Sequence, residues 1–70
     1  MQNIKLYAAA ENLTRQFQEL KTMEEDSAKL YTALLTDVSD PSDQTVLKQI
    51  IVDEYKHTKM AQNIIEILQS

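Results

Sequence analysis

Cysteine, glycine and tryptophan do not occur in this chain, proline and histidine occur once each, and acidic residues outnumber basic ones eleven to seven. Each scarcity removes a class of answer. Without cysteine there are no disulfides, iron–sulfur clusters or zinc–thiolate sites, which is compatible with a reducing cytoplasm. Without glycine, and with one proline, there is little room for turns. No apolar run approaches membrane-spanning length, and Met1-Gln2-Asn3-Ile4-Lys5 does not read as a signal peptide, so the expected location is cytoplasmic. A net charge of −4 with scattered cations argues against a nucleic-acid surface. Mild acidity suits a protein that attracts cations, and equally any ordinary soluble one.

Seventy residues make one domain that is too short to bury a large core alone. Chains of this size need disulfides, a metal or a partner chain. With disulfides excluded, oligomerisation or a metal held by oxygen and nitrogen ligands remains.

The one strong turn signal is Asp37-Val38-Ser39-Asp40-Pro41-Ser42-Asp43. Asp40 suits an N-cap, Pro41 the first helical position, and Asp43 the first turn, where a carboxylate meets the positive helix end. The pattern predicts an all-α chain: a helix over about 4–37, a turn over about 38–40 and a helix over about 41–68. A short loop makes the two antiparallel. No strand, repeat or low-complexity segment is expected.

Both helices carry apolar stripes with polar interruptions. In the second, Leu47, Ile50, Glu54, His57, Ala61, Ile64 and Leu68 follow three-four spacing, the seam a helix offers a partner helix. In the first, Leu13, Phe17, Leu20, Glu24, Ser27, Tyr31, Leu34 and Val38 do the same. Glu24 lies fourteen residues before Val38 and Glu54 thirteen after Pro41, so both are expected roughly 20 Å from the turn, at the same height. Two glutamates and a histidine inside apolar seams are unfavourable unless something pairs with them, as a metal does.

Val46, Ile51, Met60, Ile65 and Ile67 widen the second stripe beyond what one neighbour can cover. A two-fold dimer making a four-helix bundle is the simplest solution. The longer first helix then overhangs with roughly Ile4 to Phe17, a surface for further copies.

One hairpin supplies Glu24, Glu54 and His57; a two-fold axis doubles them to four carboxylates and two imidazoles. That is the donor set of two-metal carboxylate bundles, a Glu from each of two helices and a Glu-x-x-His from each of the others. Hard oxygen donors with one nitrogen per metal suit iron or manganese. Two irons ~4 Å apart can together reduce dioxygen or peroxide. Asp53 is placed to accept the free ring N–H of a histidine across the interface, and Tyr31, one heptad after Glu24, to hydrogen-bond a ligand carboxylate. Glu25 and Asp26 are candidates for an access route for cations.

Met23-Glu24-Glu25-Asp26-Ser27-Ala28-Lys29-Leu30-Tyr31 together with Asp53-Glu54-Tyr55-Lys56-His57 resembles the paired motifs of the rubrerythrin branch of the ferritin-like superfamily. The two-helix form is most similar to encapsulated ferritin, whose metal centre forms only between two chains. The resemblance spans about Leu20 to Leu68. It implies that Glu24, Glu54 and His57 ligate the metal, that Tyr31 supports them and that Asp26 matches an acidic position on the metal's path. It implies two iron ions per dimer, oxidation of Fe(II) by dioxygen or peroxide, and iron storage. It also implies an encapsulating shell protein as partner and a location inside a protein nanocompartment. The cysteine-bound iron domain of rubrerythrins has no counterpart in this chain.

A second reading stands beside this one. A Glu-x-x-His pair in a helical seam also fixes register or oligomeric state with no metal present. On that reading the chain is a dimeric helical-hairpin interaction module with a structural Glu/His layer. Tyr7 and Tyr55 read as packing or surface residues, Met23 and Met60 as interface filler, and Lys56 and Lys59 as a solvated face.

Overall fold

The computed structural model describes the backbone from Gln2 to Ser70 and the side chains from Ala8 to Ser70. Tyr7 and the first residues of the expected overhang lie outside the described side chains. Two helices account for nearly all of it: α1, Gln2–Leu35, and α2, Pro41–Gln69. They pack along each other into a rod of 59 × 14 × 12 Å.

The turn is built as its residues dictate. Asp40 sits in extended backbone (φ −70°, ψ 123°), and its carboxylate accepts from the Ser42 N–H at 2.7 Å and the Asp43 N–H at 3.3 Å. Two of the donors left free at a helix start are thereby satisfied. The side-chain amide of Gln44 reaches back to the Val38 carbonyl at 2.8 Å and ties the loop to the new helix. α1 stops at Leu35 rather than at about residue 37. The amides of Thr36, Asp37 and Val38 bond the carbonyls of Ala33, Leu34 and Leu35, three residues back, so the last turn tightens as it unwinds. Asp40→Ala is expected to lower stability by about 1 kcal/mol, read as a lower urea midpoint by circular dichroism.

The seam between the helices is rotated from the stripes that periodicity alone predicts. Its members are Ala10, Thr14, Phe17, Lys21, Glu24, Ala28, Tyr31 and Leu35 on α1. Opposite them run Leu47, Ile51, Glu54, Thr58, Ala61, Ile65 and Leu68 on α2, all buried or half-buried. Only Ala28, Leu47, Ala61 and Ile65 are buried among the described residues. Leu13, Leu20, Leu34 and Ile50, which the spacing placed in the seam, are exposed. The apolar stripe is wide enough for two contacts, and its centre falls between them, so a single heptad drawn through it mixes residues from both.

The helical positions of the exposed apolar residues put most of them on one side of the hairpin. Leu13, Leu20, Met23, Leu30 and Leu34 lie there from α1, and Val46, Ile50, Met60 and Ile67 from α2. An open apolar cleft on that side is lined by Phe17, Leu20, Glu24, His57, Met60, Ala61 and Ile64. The opposite groove is polar, lined by Gln18, Lys21, Thr22, Glu25, Gln62, Ile65 and Gln69. There the Lys21 ammonium donates to Gln62 Oε1 at 2.8 Å, and the Gln62 amide donates to Glu66 Oε1 at 3.2 Å. In the seam, Thr14 and Thr58 return their hydroxyls to the carbonyls of Ala10 and Glu54, so neither leaves an unpaired group between the helices.

Candidate metal centre

Glu24 reaches the site from the middle of α1, and Glu54 and His57 from one turn of α2. One ligand atom of each lies within 4.8 Å of the others. His57 Nδ1 stands 3.6 Å from Glu24 Oε2, an ionic contact when the imidazole is protonated. The helices bring the three together because nearly equal chain lengths separate Glu24 and Glu54 from a tight turn. Glu-x-x-His spacing then places the two α2 donors one turn apart, near one another on the helix.

The group sits at the edge of the hairpin, not within it. The side chains of Glu24 and His57 are 21% and 54% exposed, and Glu54 is half-buried. His57, expected to point inward, opens onto the apolar side, because α2 is turned so that residues 51, 54 and 58 fill the seam. The donors are therefore presented to whatever covers that face.

The neighbouring carboxylate perturbs Glu54. The Glu54 carboxyl is raised above its ordinary value of 4.5 by a hydrogen bond shared with Glu24, then by partial desolvation and the charge of Glu24. His57 pulls it down, and Asp53 adds to the rise. A carboxyl whose folded value is raised favours the fold below its ordinary value and loses that contribution as pH rises through the raised one. The metal-free hairpin is thus expected to weaken as pH rises from about 4.5 towards neutrality. Glu54→Gln should flatten this dependence and stabilise the metal-free chain at pH 7. Urea unfolding at several pH values with chelator present reads it out. An unchanged slope in the variant would rule out the Glu24–Glu54 pair as the origin of the dependence.

The remaining expected site residues are placed as follows. Asp53 is half-buried on the apolar side and outside the three-donor group; its Oδ1 accepts from the Gln49 amide at 3.0 Å, which fixes its orientation. Tyr31 is half-buried in the seam beyond Glu24. Glu25 lines the polar groove and Asp26 is exposed, so neither joins the donors. The Lys21–Gln62–Glu66 chain beside the site was missed by periodicity. Its signal is that Lys21 lies one turn before Glu24 on the true seam.

The donors fit a hard divalent cation. Ligand atoms at roughly 2.1 Å from one ion stand at most about twice that apart, so a set within 4.8 Å needs only small side-chain rotations to close on one. A cation also offsets the charge of Glu24, one of the influences that raise Glu54. No helix among the described residues is long and apolar enough to cross a membrane. Comparison of the chain with protein-family models, curated proteins and solved structures gives no match.

Proposed function

We propose that two copies of this hairpin pair through their apolar sides into a ferritin-like four-helix bundle. Between them they hold two iron ions with Glu24, Glu54 and His57 from each chain, Fe(II) being the substrate. The observation that carries this reading is the convergence of two carboxylates and an imidazole at the edge of an exposed apolar face. Oxygen and nitrogen donors of this kind take Fe(II) or Mn(II). Iron so bound supplies electrons to dioxygen or peroxide, which makes the protein a ferroxidase serving iron handling and storage.

The chain's own residues do the rest. Glu54 would be the bridging ligand, with Glu24 and His57 as terminal or chelating ligands. Any proton held on Glu54 is displaced when a cation enters. The half-exposed imidazole is free to turn toward the interface, with Asp53 of the partner subunit as acceptor for its other ring N–H. The apolar surroundings, Leu20, Met60 and Ile64, keep water from the site once the faces close.

The alternative is a dimeric interaction module in which the same polar layer sets pairing. It shares the dimer and differs in metal dependence. Anaerobic Fe(II) titration followed by air, with size-exclusion detection, separates the two. The ferroxidase is expected to saturate at about one iron per chain, following the two metals per bundle of such carboxylate proteins, and to develop ferric absorbance faster than buffer. Absence of saturable binding would sink the iron reading and leave the module. Location inside a shell protein belongs to the same proposal, and iron capture does not require it.

A further inference from the structure

Two large apolar side chains are exposed away from the apolar face. Val52 and Tyr55 are 46% and 57% exposed, on the outward side of α2. With Lys48 before them and Lys59 after, they follow four-three-four spacing and so form a single stripe, with Lys56 beside it. All three lysines of α2 thus lie on or next to the stripe, every one exposed, in a chain of net charge −4. The acids within this stretch, Asp53 and Glu54, belong to the apolar side and the seam. Pairing through the apolar side leaves this stripe uncovered.

We propose that the stripe is a docking surface for a short acidic helical peptide with apolar anchors. From Lys48 to Lys59 it runs about 16 Å, three turns of helix. A partner helix of that length sets leucine-like side chains on Val52 and Tyr55 and carboxylates against the flanking lysines, an apolar centre with a charged rim. Nucleic acid or an anionic membrane extends well past the stripe and meets the acidic remainder of the surface. A second copy fits less well. On α1, Glu19, Met23, Asp26 and Leu30 follow the same four-three-four spacing, but Met23 and Leu30, like the other large exposed apolar residues of α1 among the described side chains, fall on the side that the proposed pairing covers.

The test uses the full chain and a labelled synthetic peptide carrying leucine at i, i+3, i+4 and i+7 with glutamate elsewhere, followed by fluorescence anisotropy. Saturable binding is expected that weakens with salt. It should weaken at least about tenfold in Tyr55→Ala and in the Lys48→Glu/Lys59→Glu double variant. The double variant should instead take up the same peptide with lysine in place of glutamate. Both variants alter exposed positions, and circular dichroism confirms their fold. No binding, equal binding of the two peptides, or binding indifferent to both variants overturns the proposal. So does sedimentation showing that Tyr55→Ala reduces a larger assembly to a dimer, which makes the occupant a second copy.

Discussion

Leu20→Glu and Met60→Glu are each expected to convert the proposed dimer into a poorly helical monomer. Both residues line the cleft beside His57, where the proposed pairing seats a second hairpin, and Met60 is 59% exposed within one chain. Neither substitution has a core to damage in the isolated hairpin, so a protein that functions alone would tolerate them. In a bundle the new carboxylate is buried without a partner, which costs about 3 kcal/mol or more. That weakens pairing by more than about a hundredfold. Helicity falls with it, since four buried residues, two of them alanine, cannot hold two long helices together. Sedimentation equilibrium with circular dichroism across a dilution series reads both effects. Wild-type chains that remain helical monomers at micromolar concentration would show that the face is not a pairing surface.

Addition of Mn(II) under argon, as a redox-silent stand-in for Fe(II), is expected to raise the unfolding temperature by roughly 10 °C. A ligand at a hundred times its dissociation constant stabilises the fold by about 2.7 kcal/mol. For domains of this size each kcal/mol moves the midpoint by several degrees. Glu54→Ala and His57→Ala should abolish the shift. The two variants should diverge without metal. Removing Glu54 relieves the repulsion with Glu24 and leaves the metal-free chain at least as stable, whereas removing His57 takes away the group that opposes the rise at Glu54 and contacts Glu24. A thermal midpoint indifferent to Mn(II), with both variants destabilised alike, is the behaviour of a structural polar layer.

Most of the fold was legible because it depends on local chemistry. Asp40, Pro41 and Asp43 start α2 by capping and fixed backbone angle, and nothing tertiary competes with them. The donor group was legible for a geometric reason: Glu24 and Glu54 stand at nearly equal distances from one tight turn, and Glu-x-x-His is a one-turn spacing in any helix. The rotation of the helices was not. Leu20 and Ile50 satisfy the same hydrophobic pattern as Phe17 and Ile51, and the pattern records apolarity without saying which neighbour covers it. Lys21 was passed over because a lysine in a seam looks like solvent-facing charge until its ammonium is seen on Gln62. The ±2-residue difference at the end of α1 reflects the tightened last turn, which no residue type announces.

The placement of that lysine has a mechanical consequence. Lys21 and Gln62 fasten the helices along one long edge at 2.8 Å, while Glu24, Glu54 and His57 line the other, where Glu24 and His57 approach only to 3.6 Å. The hairpin resembles a book bound at the spine and loose at the fore-edge. Opening by a fraction of an ångström at the loose edge leaves register intact, because the bound edge sets how far one helix can slide along the other. At the proposed iron centre, a cation that shrinks on losing an electron would be followed by its carboxylates through slight closure of the pages, with no shift of one helix past its neighbour.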